Sequence, residues 1–186
     1  MTRYRFILIA AATLLAVTAC TGSQSDPVAE AISQAAVKDL PGDYNFRLSS
    51  LEKIDSTTVR TEIDRRKDVF RLKKQTEENL YWKYLEEHKP KTSESHHQAM
   101  LKAARNMAVM DSIENAMAGK LDDVAYYDYV FSGSATAKEG KVSYSNVYVT
   151  ITPAGEVLTM TSNQKDLHKA TGRVIPGYIE SITAEE

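Results

Sequence analysis

The sequence predicts an α+β domain in which a helical hairpin packs against a curved antiparallel β-meander. In the first two thirds of the chain, apolar residues recur at three- and four-residue spacing, which is typical of amphipathic helices. From residue 124 to 161, apolar and polar residues alternate between short turn signals, which is typical of strands joined as hairpins. Helices followed by a run of strands favour an α+β fold.

The first helix and the first strand have clear local signals. A helix is expected over residues 27–38, because Asp26 supplies an N-cap and a proline follows at the first helical position. Pro41-Gly42 ends it. Alternation over residues 44–54 then predicts a strand, with a bulge expected at Ser49-Ser50.

Two long helices follow and would form an antiparallel hairpin. The first is expected from an N-cap at Asp55-Ser56 to about residue 87, although its middle, 73–79, has no apolar residue. That middle should project into solvent or break the helix. A loop is expected at 88–93, and capping-box spacing predicts that the second helix begins at Ser95. Its apolar positions are assigned to core packing: Met100, Ala103, Met107, Met110, Ile113 and Met117.

The last third of the chain is predicted to be mostly strands. The expected strands cover residues 124–131, 142–152 and 157–161. A loop is expected at 132–140, one helical turn within 162–168, and a doubtful final strand within 174–182. In element order alone, the arrangement is loosely similar to cystatin-like or NTF2-like rolls, in which a curved sheet wraps a helix.

The N-terminus has the pattern of an export signal. Arg3 and Arg5 precede an uncharged apolar run over residues 6–17, which is shorter than the roughly 20 residues needed to span a bilayer. A secretory signal peptide typically has a basic N-terminal region, a short apolar core and small residues at its cleavage site. The ending Val-Thr-Ala-Cys at 17–20 resembles the lipobox of bacterial lipoproteins, where lipid is attached to the cysteine and cleavage makes it the new N-terminus.

This resemblance implies lipidation at Cys20 and attachment to a membrane through that lipid. The chain would then consist of a signal peptide, 1–19, a lipidated cysteine with a short tether, 20–26, and a single domain, 27–186. In this class an Asp after the lipidated cysteine favours retention in the inner membrane; position 21 holds Thr, which favours the outer membrane if the source is Gram-negative. The expected location is therefore the bacterial cell envelope. Cys20 is the only cysteine, so the domain has no internal disulfide.

The composition and motifs favour a non-catalytic role. Removing residues 1–19 leaves 21 basic and 25 acidic residues, a net charge of −4, and no basic patch that nucleic acid would require. We find no nucleophile elbow, phosphate loop or cofactor fingerprint, and we predict no catalytic residue, metal or cofactor. A small metal-dependent hydrolase using His88, Glu94 and His96 is a weaker alternative. The adjacent histidines at 96–97 lack the four-residue spacing of helical metal ligands.

Tyrosine dominates the aromatic residues, with ten tyrosines against four phenylalanines and one tryptophan. Strand alternation places Tyr127 with Tyr129, and Tyr144 with Tyr148, on common faces. If the aliphatic faces cover the helices, the tyrosines would form a solvent-facing aromatic platform. Alternatively, both faces are half-buried and the hydroxyl groups only reach water at the rim.

The leading expectation is a lipid-anchored envelope protein that binds another envelope component, either a protein or a glycan. The tyrosines at 127, 129, 144 and 148 and the single Trp82 are the candidate contact residues. An alternative is an inhibitory or structural protein that occludes an envelope enzyme with the helical hairpin around Trp82.

Overall fold

A computed structural model describes residues 26–138 and 140–183. The four strands form one antiparallel sheet in the order β1-β2-β3-β4, and the described residues also form four α-helices, so the predicted α+β class is confirmed. The elements are α1 Pro27–Val37, β1 Asn45–Thr58, α2 Val59–Glu86, α3 Pro90–Ala116, β2 Val124–Ala137, β3 Gly140–Ile151, β4 Val157–Thr161 and α4 Tyr178–Thr183. Three short 3-10 turns lie at Ala118–Lys120, Gln164–Asp166 and Thr171–Val174.

The sheet takes part in two hydrophobic cores. The α1-side core places the fully buried Ile32 of α1 against sheet residues. Its buried members from the sheet are Phe131, Val149 and Ile151. The hairpin-side core joins the base of α2 and α3 to the start of β2, to β4 and to the segment before α4. Its most buried members are Ile63, Met110, Tyr126 and Ile175.

The first helix and the bulge in β1 agree with the sequence predictions. The Asp26 side chain accepts a hydrogen bond from the Val28 amide at 3.0 Å, so it caps α1 as expected. The register of β1 against β2 shifts between Leu48 and Ser50, where the bulge was predicted. Both features have a local sequence signal, an N-cap residue before proline and a break in the alternation, which is why the sequence reveals them.

The predicted start of the first long helix was wrong. β1 continues to Thr58 and pairs with β2 along its length, and Thr58 rather than Asp55 or Ser56 caps α2. The Thr58 hydroxyl accepts from the Thr61 amide at 3.3 Å. Backbone hydrogen bonds to β2, which sequence periodicity cannot show, hold residues 55–58 extended.

The turn of the hairpin is shorter than predicted. α3 begins at Pro90 rather than at the predicted Ser95, so only residues 88–89 of the predicted loop at 88–93 lie outside a helix. α2 is continuous through residues 73–79, so the predicted alternative of a break there was wrong. Hairpin members of the core reach no further than Phe70 on α2 and Met107 on α3. We call residues 71–106 the hairpin arm. Its α2 portion, 71–86, extends about 24 Å at 1.5 Å per residue.

Two further predictions near the C-terminal end were wrong, and one was confirmed. The expected loop at 132–140 is largely strand, because β2 extends to Ala137 and pairs with β3 from Gly140 onward. The doubtful strand within 174–182 is instead a 3-10 turn followed by α4, with Gly177 at a positive φ of 76° between them. The predicted helical turn within 162–168 is present at Gln164–Asp166.

Gly133 allows a close approach between β2 and β1, and we predict that Gly133→Ala destabilises the protein by about 1–3 kcal/mol. A Cβ atom there would lie 2.7 Å from the Phe46 ring and 2.9 Å from the Arg47 carbonyl oxygen. The matched control is Gly119→Ala, because a Cβ at 119 meets no atom within 4 Å. Urea unfolding measures both, and equal stabilities of the two variants would contradict the prediction.

Candidate functional site

A buried carboxylate organises the polar interior on the hairpin side of the sheet. Glu62, in the first turn of α2, is fully buried. Its two oxygens accept from Arg65 Nη1 at 2.6 Å and from Arg66 Nε at 2.7 Å. They also accept from the Tyr126 hydroxyl at 2.7 Å and the Thr171 hydroxyl at 2.9 Å. We call Glu62 and these four partners the Glu62 cluster. A buried charge requires such ion pairs and hydrogen bonds, because it has lost its contact with water.

Arg66 connects this cluster to the chain between β4 and α4. Its Nη2 atom donates to the His168 carbonyl oxygen at 2.9 Å and to Thr171 Oγ1 at 2.8 Å. A Cβ at Gly172 would lie 2.5 Å from the Tyr178 ring and 3.1 Å from Arg66 Nε. The segment can therefore approach the guanidinium closely only because position 172 has no side chain.

A second buried carboxylate lies on β2, two residues beyond Tyr126. Asp128 Oδ1 accepts from Thr150 Oγ1 at 2.8 Å, and Oδ2 lies 2.7 Å from His168 Nε2. The Asp128 side chain is 3% exposed, whereas that of His168 is 32% exposed. The His168 ring also packs on Tyr126, with 5.6 Å between ring centroids.

Carboxylate–imidazole pairs of this kind can orient a general base. Within the described residues, however, the His168 ring contacts the Asp128 carboxylate and the Tyr126 ring, and no nucleophilic side chain. The contacts of Asp128 and Arg66 instead hold residues 168–171 against the sheet and α2. This polar interior therefore joins α2, β2, β3 and the segment after β4.

The hairpin arm presents a different surface, rich in exposed apolar side chains. Of the seven large apolar side chains that are exposed among the described residues, four lie on the arm. They are Leu72, Trp82, Leu85 and Leu101. Trp82 is 54% exposed, and Leu85 lies three residues further on the same side of α2. Tyr81 supports Trp82 through an edge contact with 4.9 Å between ring centroids.

The weak metal-site alternative is not assembled by the fold. His96 Nδ1 lies 2.7 Å from Glu77 Oε2, and its ring stacks on Tyr84 with centroids 5.2 Å apart. Glu94 lies instead 3.9 Å from His97. In the part of the chain that the structure describes, no group of three or more His, Cys, Asp or Glu residues could hold a metal ion.

The predicted common face of Tyr144 and Tyr148 was wrong. Val147 pairs with Phe131, but Tyr144 pairs with Gly133, so β3 has one extra residue between these pairs, where Asn146 has a positive φ of 50°. This bulge turns Tyr144 toward the α1-side core, against which it packs half-buried. There its hydroxyl donates to the Ala36 carbonyl oxygen at 2.5 Å, and its ring lies 5.8 Å from that of Phe46. Tyr148, opposite Val130, remains half-buried on the other face.

Tyr127 and Tyr129 do share a face, as predicted, with 6.4 Å between their ring centroids. Both are half-buried. Lys53 Nζ lies 4.0 Å from the centre of the Tyr127 ring, while burial and the nearby Asp26 raise the pKa of Tyr129. The four tyrosines therefore do not form one aromatic platform.

Comparison with known proteins found no match among family models, curated proteins or solved structures. The predicted signal peptide and Cys20 lie outside the described residues. Among the helices that the structure describes, none is long and apolar enough to cross a membrane.

Sequence reasoning did not select Glu62, Asp128 or His168 as important residues. A faint signal existed for both carboxylates, since Glu62 adjoins the apolar Ile63 and Asp128 shares an otherwise apolar strand face with Tyr126 and Val130. An acidic residue in such a position is expected to have a buried partner. The partners of Glu62 include Tyr126 and Thr171, which are 64 and 109 residues away, so no local pattern identifies them.

We predict that Glu62→Gln lowers the free energy of unfolding by about 3 kcal/mol. The amide keeps the shape of the side chain but leaves two guanidinium groups without a counter-charge, and the Arg66 side chain is only 12% exposed. Glu86→Gln, at an exposed position of the same helix, is the matched control and should change little. If urea unfolding gives the same small loss for both variants, the Glu62 cluster does not stabilise the fold.

The Glu62 cluster also predicts a loss of stability at alkaline pH. Burial and the neighbouring Glu62 charge raise the pKa of Tyr126 from 10.0 to about 12. The unfolded chain releases this proton near pH 10, whereas the folded protein retains it. The contribution of Tyr126 to the free energy of unfolding is therefore fully present below about pH 10 and is lost as the pH rises toward about 12. The free energy of unfolding, measured with urea across this pH range, should decline less steeply for Tyr126→Phe than for the wild type. Parallel declines would contradict a raised pKa for Tyr126.

Proposed function

We propose that this protein is a lipid-anchored component of the bacterial cell envelope that binds another envelope protein through its hairpin arm. The observation that carries the proposal is the exposure of Trp82 together with Leu72, Leu85 and Leu101 on one two-helix element. Tryptophan is enriched among residues that dominate binding energy, because it buries a large apolar area and orders few rotatable bonds.

The arm is suited to this role because its two helices pack on each other beyond the domain core. α2 and α3 pack along each other, and the fully or nearly buried Ala103 and Ser93 allow close helix contact. His96 bridges the two helices through Glu77 and Tyr84. A pre-ordered surface loses less conformational entropy on binding than a flexible one. The arm can therefore present Trp82 to a partner at low entropic cost.

Attachment through Cys20 belongs to the same proposal and rests on the lipobox-like ending of the N-terminal segment. Between Cys20 and the N-cap of α1 at Asp26, the chain extends at most about 20 Å. The domain would therefore remain close to its membrane, where the arm can meet a partner in the same envelope layer. Binding is proposed as non-catalytic.

A second candidate function is occlusion of an envelope enzyme, in which the arm enters the enzyme's cleft. The two-helix extension beyond the core favours this alternative, because a narrow projecting element fits a concave site. The two functions differ in their consequence for the partner. Adding the purified protein to the purified partner would abolish the partner's activity under occlusion and leave it unchanged under simple binding.

The first experiment is site-specific crosslinking in cells. A photo-reactive amino acid replaces Trp82, and a matched control places it at Ile179, which is 43% exposed and belongs to α4 rather than to the arm. A partner crosslinked from 82 but not from 179 would then be purified for binding measurements. Cys20→Ser separates anchoring from recognition, since it should release the protein from the membrane without weakening the purified complex.

We predict that Trp82→Ala with Leu85→Ala weakens the purified complex by at least about 30-fold, equivalent to about 2 kcal/mol. Both side chains are exposed, so the double variant should unfold at nearly the wild-type urea concentration. Ile179→Ala is the control for the loss of an exposed apolar side chain. Unchanged affinity in the double variant would refute the arm as the contact surface, and glycan binding by the wild type would redirect the assignment to another ligand class.

A further inference from the structure

An apolar groove lies at the base of the hairpin, on the part of α3 that follows the arm. Its volume is about 540 Å³, within the range of roughly 300–1,000 Å³ that is common for small-molecule sites. It lies between the end of α3 with the following 3-10 turn and the residue before Gly177. The lining residues are Ile113, Ala116, Met117, Gly119, Lys120 and Pro176.

The lining of this groove includes one positively charged side chain. Lys120 is the only charged residue lining the groove, and among the described residues its ammonium group has no carboxylate partner. Met117 and Lys120 also line a neighbouring groove, whose other charged lining residues are Asp123, Glu156 and Arg173. There Arg173 lies 4.0 Å from Glu156 and donates to the Val157 and Leu158 carbonyls, while Asp123 and Glu156 lie outside the lining of the first groove. On the side of the first groove, Lys120 is therefore the charged group that a ligand would meet.

We propose that this groove binds a single-chain carboxylate amphiphile, such as a long-chain fatty acid. The acyl chain would lie against Ile113, Met117 and Pro176, while the carboxylate pairs with Lys120. Small-molecule sites usually have a mostly apolar lining with a few polar groups. One ammonium matches one carboxylate in charge, whereas a phosphate monoester, with a charge of about −1.5 to −2, would require further donors. This site is independent of the hairpin arm.

The test uses the chain from position 20 onward with Cys20→Ser, which keeps all described residues and removes the predicted site of lipid attachment. The probe is cis-parinaric acid, a fluorescent fatty acid, with its methyl ester as the uncharged comparison. We expect saturable binding of the acid at one molecule per chain, and at least tenfold weaker binding of the ester.

Two variants locate the site. Lys120→Met keeps the apolar part of the side chain and removes the charge. It should weaken binding of the acid at least tenfold and leave binding of the ester unchanged. Gly119→Phe should abolish binding of both probes, because a Cβ at 119 meets nothing within 4 Å and the added ring can occupy the groove. Lys165→Met, at an exposed position in the 3-10 turn Gln164–Asp166, is the charge control and should bind like the parent.

Three results would overturn the proposal. Absence of saturable binding by the parent chain would overturn the proposal, and so would wild-type binding by Gly119→Phe, which would put the probe elsewhere. Equal weakening by Lys120→Met and Lys165→Met would show non-specific attraction and also overturn it. Urea unfolding of every variant shows whether a loss of binding reflects the groove or a loss of folding.

Discussion

The buried charge of Glu62 constrains much of the architecture around it. A carboxylate in the interior must be paired, and here its partners come from α2 itself, from β2 and from the segment before α4. Satisfying this one side chain fixes how the hairpin base meets the sheet. Removing a partner would leave an uncompensated charge, which costs more than the loss of a single surface interaction. The cluster thus specifies how these elements pack together.

The molecule divides into a stabilised body and a projecting arm. The body contains both hydrophobic cores and the two buried carboxylates, while residues 71–106 extend beyond the core on paired helices. Because the body holds the fold, the arm can leave Trp82 and Leu85 exposed at little cost to stability. Such a division suits a protein that presents a fixed apolar surface to a partner, and it leaves the groove beside Lys120 free for a separate ligand.

Local signals predicted much of the secondary structure but little of the site. The N-cap at Asp26, the bulge after Leu48 and the helical turn within 162–168 all follow from short segments, and all are present. Residues 55–58 and 132–137 were misassigned because strand pairing, a non-local interaction, overrides their local preferences. The bulge at Asn146 separated two of the candidate contact residues, since one extra residue turned Tyr144 toward the α1-side core, where it is half-buried.

By itself, the sequence determined the α+β composition and the order of helices and strands from α1 to β4, because caps, turn residues and periodicity act over a few residues. It also contained the N-terminal pattern on which the proposed anchoring rests. Only the tertiary structure decided that Glu62 meets Tyr126 and Thr171, and that Asp128 meets His168. These pairs are 40 to 109 residues apart, so their contact depends on how the sheet, the hairpin and the last segment pack together.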